Sequence, residues 1–392
     1  MNRRTIPFWR DARVLNLVVQ VLAALFALGL IAFLLFTAYR GMVARGIPFT
    51  FSFLGQEAGF TISEGPVLAL EDGRLVLRPF KPSDAYWQAF FAGIYNTLRV
   101  ALVGIVLTTI LGVLVGIGRL SSNWLVNRLA FAYVELVRNT PLLVQMFFWY
   151  FGAILKFPPV RQASEWFGGL IASQRGIFLP WPVPTDAWPR FEPFLWGGLL
   201  LAVGVYLALR RQGWARWSAL GALVLAWGVG WLVSGGPLAI SEPELGRFRV
   251  TGGLTLSPEF SAVLLALVIY TASYIAEIVR GAIQSLPKGQ WEAATSLGLT
   301  YAQTMRLVIL PQAMRIIIPP LGNQYLNLTK NSSLAIAVGY PELFNVYGTI
   351  ANQSGRSLEG ILIVMAAYLS MSLTISALVN WYNRRVTLVG VR

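Results

Sequence analysis

The sequence predicts an all-α polytopic membrane protein with about eight transmembrane helices. Of its 392 residues, 56% are hydrophobic and 12% are charged, against roughly 25% charged in soluble domains. Several apolar runs reach about 20 residues, enough to cross ~30 Å of hydrocarbon as a helix. The alternating segments of a transmembrane β-barrel, ~10 residues each, are absent from the sequence.

The expected spans are 14–38, 90–117, 130–155, 193–209, 217–235, 259–282, 306–328 and 357–382. The first follows Arg3, Arg4, Arg10 and Arg13. It is longer than the apolar core of a signal peptide, about 7–15 residues, and ends in Tyr39-Arg40 rather than at a small-residue cleavage site, so a retained helix is expected. Basic residues in short loops orient the rest. Arg119 and Arg128, the RRQGWAR loop at 210–216, Lys288 and Arg306, and Arg384, Arg385 and Arg392 fall on the side of the N-terminal arginines. Both termini are then expected inside. The outside loops are longer; residues 40–89 carry several acids, and 157–192 are rich in Pro and Trp, which suits a membrane–water interface.

Four segments follow. Residues 1–85 hold the first helix and its outside loop, and 86–155 the first two helices of a core. Residues 156–256 form an inserted loop and helical hairpin, and 257–392 hold three further core helices.

Composition excludes much chemistry. There is no cysteine and no histidine, so disulfides and His- or Cys-dependent catalysis are ruled out, and no metal site is expected. The chain also lacks a GxxxxGK[ST] phosphate loop. The net charge of +14 is assigned to helix ends facing membrane lipid, not to nucleic acid.

Between two apolar segments lies a short polar interruption, Glu292 to Pro311, EAATSLGLTYAQTMRLVILP. Pro287 suits a first helical turn, and Gln290 to Ala294 are mostly good helix formers. Gly298 is placed to stop the helix in the left-handed conformation. Thr300 to Gln303 is a capping-box pattern that starts the next helix. Small Ala293 and Ala294 allow close approach to a partner surface, and Glu292 is expected near the helix N-terminus, where the dipole favours it.

The order Glu-Ala-Ala, Gly298, Val308 and Leu310-Pro311 resembles the signature loop of permease subunits in bacterial ABC importers. Residues 133–152, 270–290 and 321–341 resemble core segments of the polar amino acid subfamily. Val308 stands where that family usually has Ile, a small departure between β-branched residues. The added spans resemble the long permeases of general L-amino acid and glutamate/glutamine/aspartate/asparagine transporters. The resemblance implies a type I importer core of five helices in a multi-pass bacterial inner-membrane protein. It implies import of L-amino acids, polar, acidic or of broad range, from periplasm to cytoplasm. Glu292, Ala293, Ala294 and Gly298 would form the cytoplasmic coupling helix that fits an ATPase subunit. The implied partners are cytoplasmic ATPases, a second permease, by analogy with long relatives a heterodimeric one, and a periplasmic amino acid-binding protein. The chain itself would be no enzyme and hold no cofactor, ATP and Mg²⁺ residing on the ATPase.

Ionisable groups within spans are functional candidates by default. Glu277 and Arg280 lie three apart and can pair beside the loop, either anchoring it or serving transport. Glu135 and Arg138 repeat the spacing. Pro141 interrupts the next helix and frees a carbonyl, so Thr140 and Gln145 line a path or pack a kink. Pro319-Pro320 is expected to break the helix after the loop. Asn323, Gln324, Asn327, Lys330, Asn331, Ser332 and Ser333 follow. This cluster lines a translocation path or makes interhelical hydrogen bonds. The rival reading, an ion-coupled secondary transporter, needs an internal repeat or titratable groups at the midplane; no repeat is seen.

Overall fold

The structure, a computed structural model, describes residues 12–44, 46, 49–71 and 73–388. Arg3, Arg4, Arg10 and Arg392, used above for orientation, lie outside the described residues. The chain opens with α1 (Ala12–Ala44), then the antiparallel hairpin β1 (Pro66–Glu71) and β2 (Arg74–Pro79). Next come α2 (Tyr86–Arg119), α3 (Trp124–Arg138) and α4 (Leu142–Phe147), the last continued by a π turn at Phe148–Ala153. The insertion holds β3 (Glu165–Trp166), β4 (Leu170–Ser173), β5 (Gly176–Leu179), β6 (Trp181–Pro184), α5 (Trp188–Leu209) and α6 (Ala215–Ser234). It continues with β7 (Leu238–Ser241), β8 (Glu244–Leu245), β9 (Val250–Thr251) and β10 (Leu254–Leu256). Then follow α7 (Pro258–Gln284), α8 (Lys288–Ser296), α9 (Tyr301–Thr304), α10 (Leu310–Asn331), α11 (Leu343–Ser354) and α12 (Ser357–Leu388).

Among the described residues, six helices are long and apolar enough to cross a membrane: α1, α2, α5, α6, α7 and α12. The other two expected spans are helical but segmented. In 130–155, Asn139-Thr140-Pro141 separates α3 from α4, and a π turn follows. In 306–328, a π turn at Met305–Ile309 precedes α10.

Pro319 and Pro320 do not break the helix as expected. Helix α10 runs through both to Asn331. Two prolines remove two N–H donors, leaving the carbonyls of Arg315 and Ile316 without helical partners, and both residues are exposed. Packing of α10 on α7 and α12 holds the remaining turns in line. Two further departures are additions. Helix α11 occupies a stretch assigned to no span, and the loops expected outside fold into small antiparallel sheets, the largest in the order β10-β5-β4-β3.

The core centres on α2 and α7. Glycines let them meet closely: a Cβ on Gly112 would stand 2.6 Å from the Ile275 Cβ. A Cβ on Gly116 would stand 2.8 Å from that of Val279. Thr108 Oγ1 donates across the interface to the Val268 carbonyl at 3.2 Å. The pair is fastened at both ends. On one side Arg99 of α2 pairs with Glu64 at 2.9 Å and lies 4.1 Å over the Phe260 ring of α7. Ser257 Oγ, capping α7, donates to the other Glu64 oxygen at 2.5 Å. Burial pushes the Glu64 carboxyl above its ordinary range, while Ser257 and Arg99 pull it down. At the opposite end Arg119 of α2 lies 3.7 Å from Glu277 of α7.

Candidate coupling loop and polar face

Helix α8 is built by local devices. Pro287 stands at its N-cap, with φ −57°, one position before the helical turn expected for it. The helix stops in a Schellman motif: Leu299 N–H donates to the Ala294 carbonyl at 3.1 Å and Gly298 N–H to Thr295 at 2.9 Å. Gly298 has φ +75°, which a β-carbon would strain. One residue later the capping box forms. Thr300 N–H donates to Gln303 Oε1 at 2.9 Å, and Gln303 N–H to Thr300 Oγ1 at 3.4 Å.

Three contacts seat α8 on the bundle. Trp291 packs against the cluster of Ile275, Val279, Ile309 and Ala313, and stacks on Tyr301 of α9 at 5.8 Å. Gln312 of α10 donates to Gln290 Oε1 at 2.9 Å. Ala294 is buried at 2% exposure. This corrects one expectation: Ala294 turns toward the chain's own core, and it is Ala293 that lies open beside Glu292. A second concerns Glu292, which lies in the second turn of α8, with no acid in the first. The dipole effect fades within the first turn, so Glu292 is free to act through its exposed charge. The open face also carries Leu297 and Tyr301, 80% and 71% exposed.

Glu277 and Arg280 form the expected pair, and Arg280 also donates to Gln284. Arg119 adds a second cation, so the group ties α2 to the end of α7 that leads into α8. Glu135 and Arg138 do not pair. Asn139 Nδ2 donates to Glu135 at 3.4 Å, and Arg138 lies 5.0 Å over the Tyr274 ring.

The polar candidates divide. Buried Gln145 gives its Nε2 hydrogens to the Val137 and Thr140 carbonyls, at 2.9 and 3.0 Å. Both carbonyls flank the Pro141 interruption, where Val137 also accepts from Thr140 N–H at 3.3 Å, so the amide donors serve the backbone. Thr140 Oγ1 donates to the Leu136 carbonyl at 2.8 Å. Buried Ser332 donates to Thr329 at 2.7 Å. In contrast Asn323, Asn327 and Lys330 form an exposed i, i+4, i+7 stripe along α10, with Gln324 and Asn331 half-buried beside it. Lys330 and Ser333 border a cavity of about 560 Å³ with Phe344 and Tyr368.

Sequence reasoning missed Glu342. It is fully buried, caps α11 by accepting from Phe344 and Asn345 N–H at 2.9 and 2.8 Å, and accepts from Tyr368 OH at 2.8 Å. The Gly339-Tyr340-Pro341 turn before it was the available signal.

Residues 104–388 match the family described as "Binding-protein-dependent transport system inner membrane component". The putative amino-acid ABC transporter permease protein YhdX of Escherichia coli is 40% identical, over 94% of this chain and 93% of its own. The general L-amino acid transport system permease protein AapQ of Rhizobium johnstonii is 39% identical, over 97% and 94%. The glutamate/glutamine/aspartate/asparagine transport system permease protein BztB of Rhodobacter capsulatus is 38% identical, over 96% and 95%. Among solved structures, an amino acid ABC transporter with histidines aligns at TM-score 0.47 and 24% identity, over 76% of this chain and 95% of that one.

Proposed function

The chain belongs to the inner-membrane components of binding-protein-dependent transport systems, and from that premise we propose that it is the permease subunit of an ATP-driven importer of L-amino acids. Relatives that match nearly end to end are named for general L-amino acid transport and for glutamate, glutamine, aspartate and asparagine transport. The substrates are L-amino acids, polar, acidic or of broad range, carried from the outer to the cytoplasmic side. ATP and Mg²⁺ are held by a separate cytoplasmic ATPase, and a second permease completes the pore. Both termini face the cytoplasm.

The observation that carries this reading is α8. A loop whose only task is to connect two spans needs no helix stopped by a Schellman motif and re-started by a capping box. Here those devices present Glu292, Ala293, Leu297 and Tyr301 outward, while Trp291 packs into the cluster that α7 and α10 share, Gln290 bonds α10 and Ala294 is buried. The open face docks on the ATPase. Closure of the ATPases on ATP pushes α8 as a rigid piece, and the Gln290–Gln312 and Glu277–Arg119 links pass the motion to α10 and α2. The permease then switches between inward- and outward-facing states. Asn323, Asn327 and Lys330 are the polar groups that this motion exposes to substrate: amides that bond a zwitterion without titrating and a cation that meets a carboxylate.

The test is purification of the full chain from its native membranes in mild detergent, with mass spectrometry of what accompanies it. A soluble phosphate-loop protein is expected, with a second permease. A folded chain that reproducibly comes alone overturns the ATPase-coupled reading and turns attention to ion-driven uptake.

A further inference from the structure

The insertion around the α5–α6 hairpin gathers like charges where it could have paired opposite ones. Its loops, 157–187 and 235–257, hold four arginines and four acids: Arg161, Arg175, Arg247 and Arg249 against Glu165, Asp186, Glu242 and Glu244. Among the described residues no ion pair joins any of them. Three of the arginines converge instead. The Arg161 guanidinium carbon lies 4.5 Å from the centroid of the Phe248 ring and that of Arg247 lies 5.5 Å from it. Arg161 Nε also donates to the Arg247 carbonyl at 3.4 Å, across 86 residues of sequence. Arg175 and Gln174 line a cavity of about 190 Å³ together with Arg161, Arg247 and Phe248. The two guanidiniums over one ring stand within about a Debye length of each other, so they repel unless an anion lies between or above them.

We infer that Arg161, Arg175, Arg247 and Phe248 form a docking patch for an acidic face of the soluble protein that delivers substrate to this permease. This rests on the proposed importer function, since it needs a delivery protein.

The position of the patch fits that partner. Helix α7 begins just after β10 and ends at α8, so the patch lies on the face of the membrane opposite α8, where substrate enters. The cavity is smaller than the ~300–1,000 Å³ of pockets that enclose a small molecule, and all three arginines are exposed. That geometry suits a surface contact better than a solute site. The surrounding segments are loops and strands beyond the helix ends, not a lipid-facing groove. Arginine and an exposed aromatic ring, here Phe248 at 60% exposure, are the residue types enriched at protein interfaces.

The test uses the complete transporter in phosphatidylcholine nanodiscs and its purified delivery protein immobilised on a sensor. Association is timed at low and at high salt. Wild type is compared with R161E/R175E/R247E, with the milder R161Q/R175Q/R247Q, and with R210E/R211E/R216E at the other end of the hairpin. The triple reversal is expected to slow association roughly tenfold or more at low salt, with the gap closing at high salt as the charges are screened. The glutamine set is expected to fall between, and the far-end reversal to match wild type. Retained ATPase co-purification and basal ATP hydrolysis show that each variant is folded. Equal association rates for wild type and both cluster variants at every salt concentration overturn the patch. Displacement of the delivery protein by millimolar succinate, but not by isoionic chloride, overturns it in favour of a solute site. Association that depends on the arginines only when anionic lipid is added overturns it in favour of lipid. If wild type with its ATPase bound takes up no delivery protein at all, the importer reading itself fails, a result separable from the others.

Discussion

Helices α7 and α5 are both long and apolar enough to be spans, yet most of the apolar stretch of α7 is buried against protein and almost none of that of α5. The difference lies in what interrupts the apolar run. Helix α7 carries Ser261, Thr271 and Ser273, all buried, and faces the Gly112 and Gly116 notches of α2. Small and hydroxyl residues let helices approach where lipid gives no hydrophobic drive. Helices α5 and α6 have close approaches mainly to each other, at Gly198 on Trp227 and Gly230 on Phe194. Hydropathy therefore identifies a span, and the placement of small residues tells whether protein or lipid covers it.

The sharpest way to break this comparison is to fill a notch. Gly112→Leu should collapse the α2–α7 contact, because its Cβ alone would stand 2.6 Å from that of Ile275. The cost should reach about 3 kcal/mol or more, read as loss of folded protein on detergent size-exclusion. Gly204→Leu in α5, where an added Cβ meets nothing within 4 Å, should leave the yield unchanged. Equal behaviour of the two would show that α2 and α7 are not packed as described.

Next in size is Gln145→Leu. The substitution keeps bulk and removes both donors from the Val137 and Thr140 carbonyls. A loss of about 1–3 kcal/mol is expected, because the Thr140 carbonyl is left unpaired while Val137 keeps the Thr140 N–H, visible as a lower thermal midpoint in detergent. Gln145→Glu should fall further, since it adds a buried charge. A Leu variant as stable as wild type but unable to transport would return Gln145 to the translocation path.

The loop and the polar face differ in how far the sequence reveals them. The stop and restart between α8 and α9 were legible because their devices are local: Gly298 at φ +75° and the Thr300–Gln303 box need only neighbours in sequence. Ala294's inward turn was not, because which side of α8 faces the core depends on α7 and α10. Gln145 and Thr140 read as polar groups in a span, yet whether an amide serves a pore or a broken backbone depends on which carbonyls lie within reach. Pro319-Pro320 misled for a related reason, since a helix held on two sides by α7 and α12 survives the loss of two donors. The pairing of Arg161 with Phe248 and Arg247 spans 86 residues and leaves no local trace.

Within the core, Glu292→Arg separates folding from function. Glu292 is exposed and among the described residues makes no side-chain bond that holds the fold together, so the protein should remain folded. Reversing its charge at the ATPase surface should lower uptake about tenfold, equivalent to ~1.4 kcal/mol of lost coupling, with basal ATP hydrolysis by the partner retained. Unchanged uptake in reconstituted vesicles would sink the assignment of α8.

The smallest effect is expected from the largest deletion. Strands β6 and β7 pair at the base of the hairpin, and Thr185 binds across it, N–H to the Pro237 carbonyl at 3.0 Å and Oγ1 to that of Gly236 at 2.9 Å. The chain ends left by removing 188–234 therefore already touch, and a short Gly-Ser linker can join them without moving either strand. Helices α5 and α6 contribute little packing to α2, α7 or α10, so their removal should leave ATPase recovery on affinity purification at the wild-type level. The arginine patch, which lies in the loops and not in the hairpin, should persist as well. A folded deletion variant that no longer retains the ATPase would show that the hairpin braces the core across the membrane, and the division between the two kinds of span would have to be redrawn around that brace.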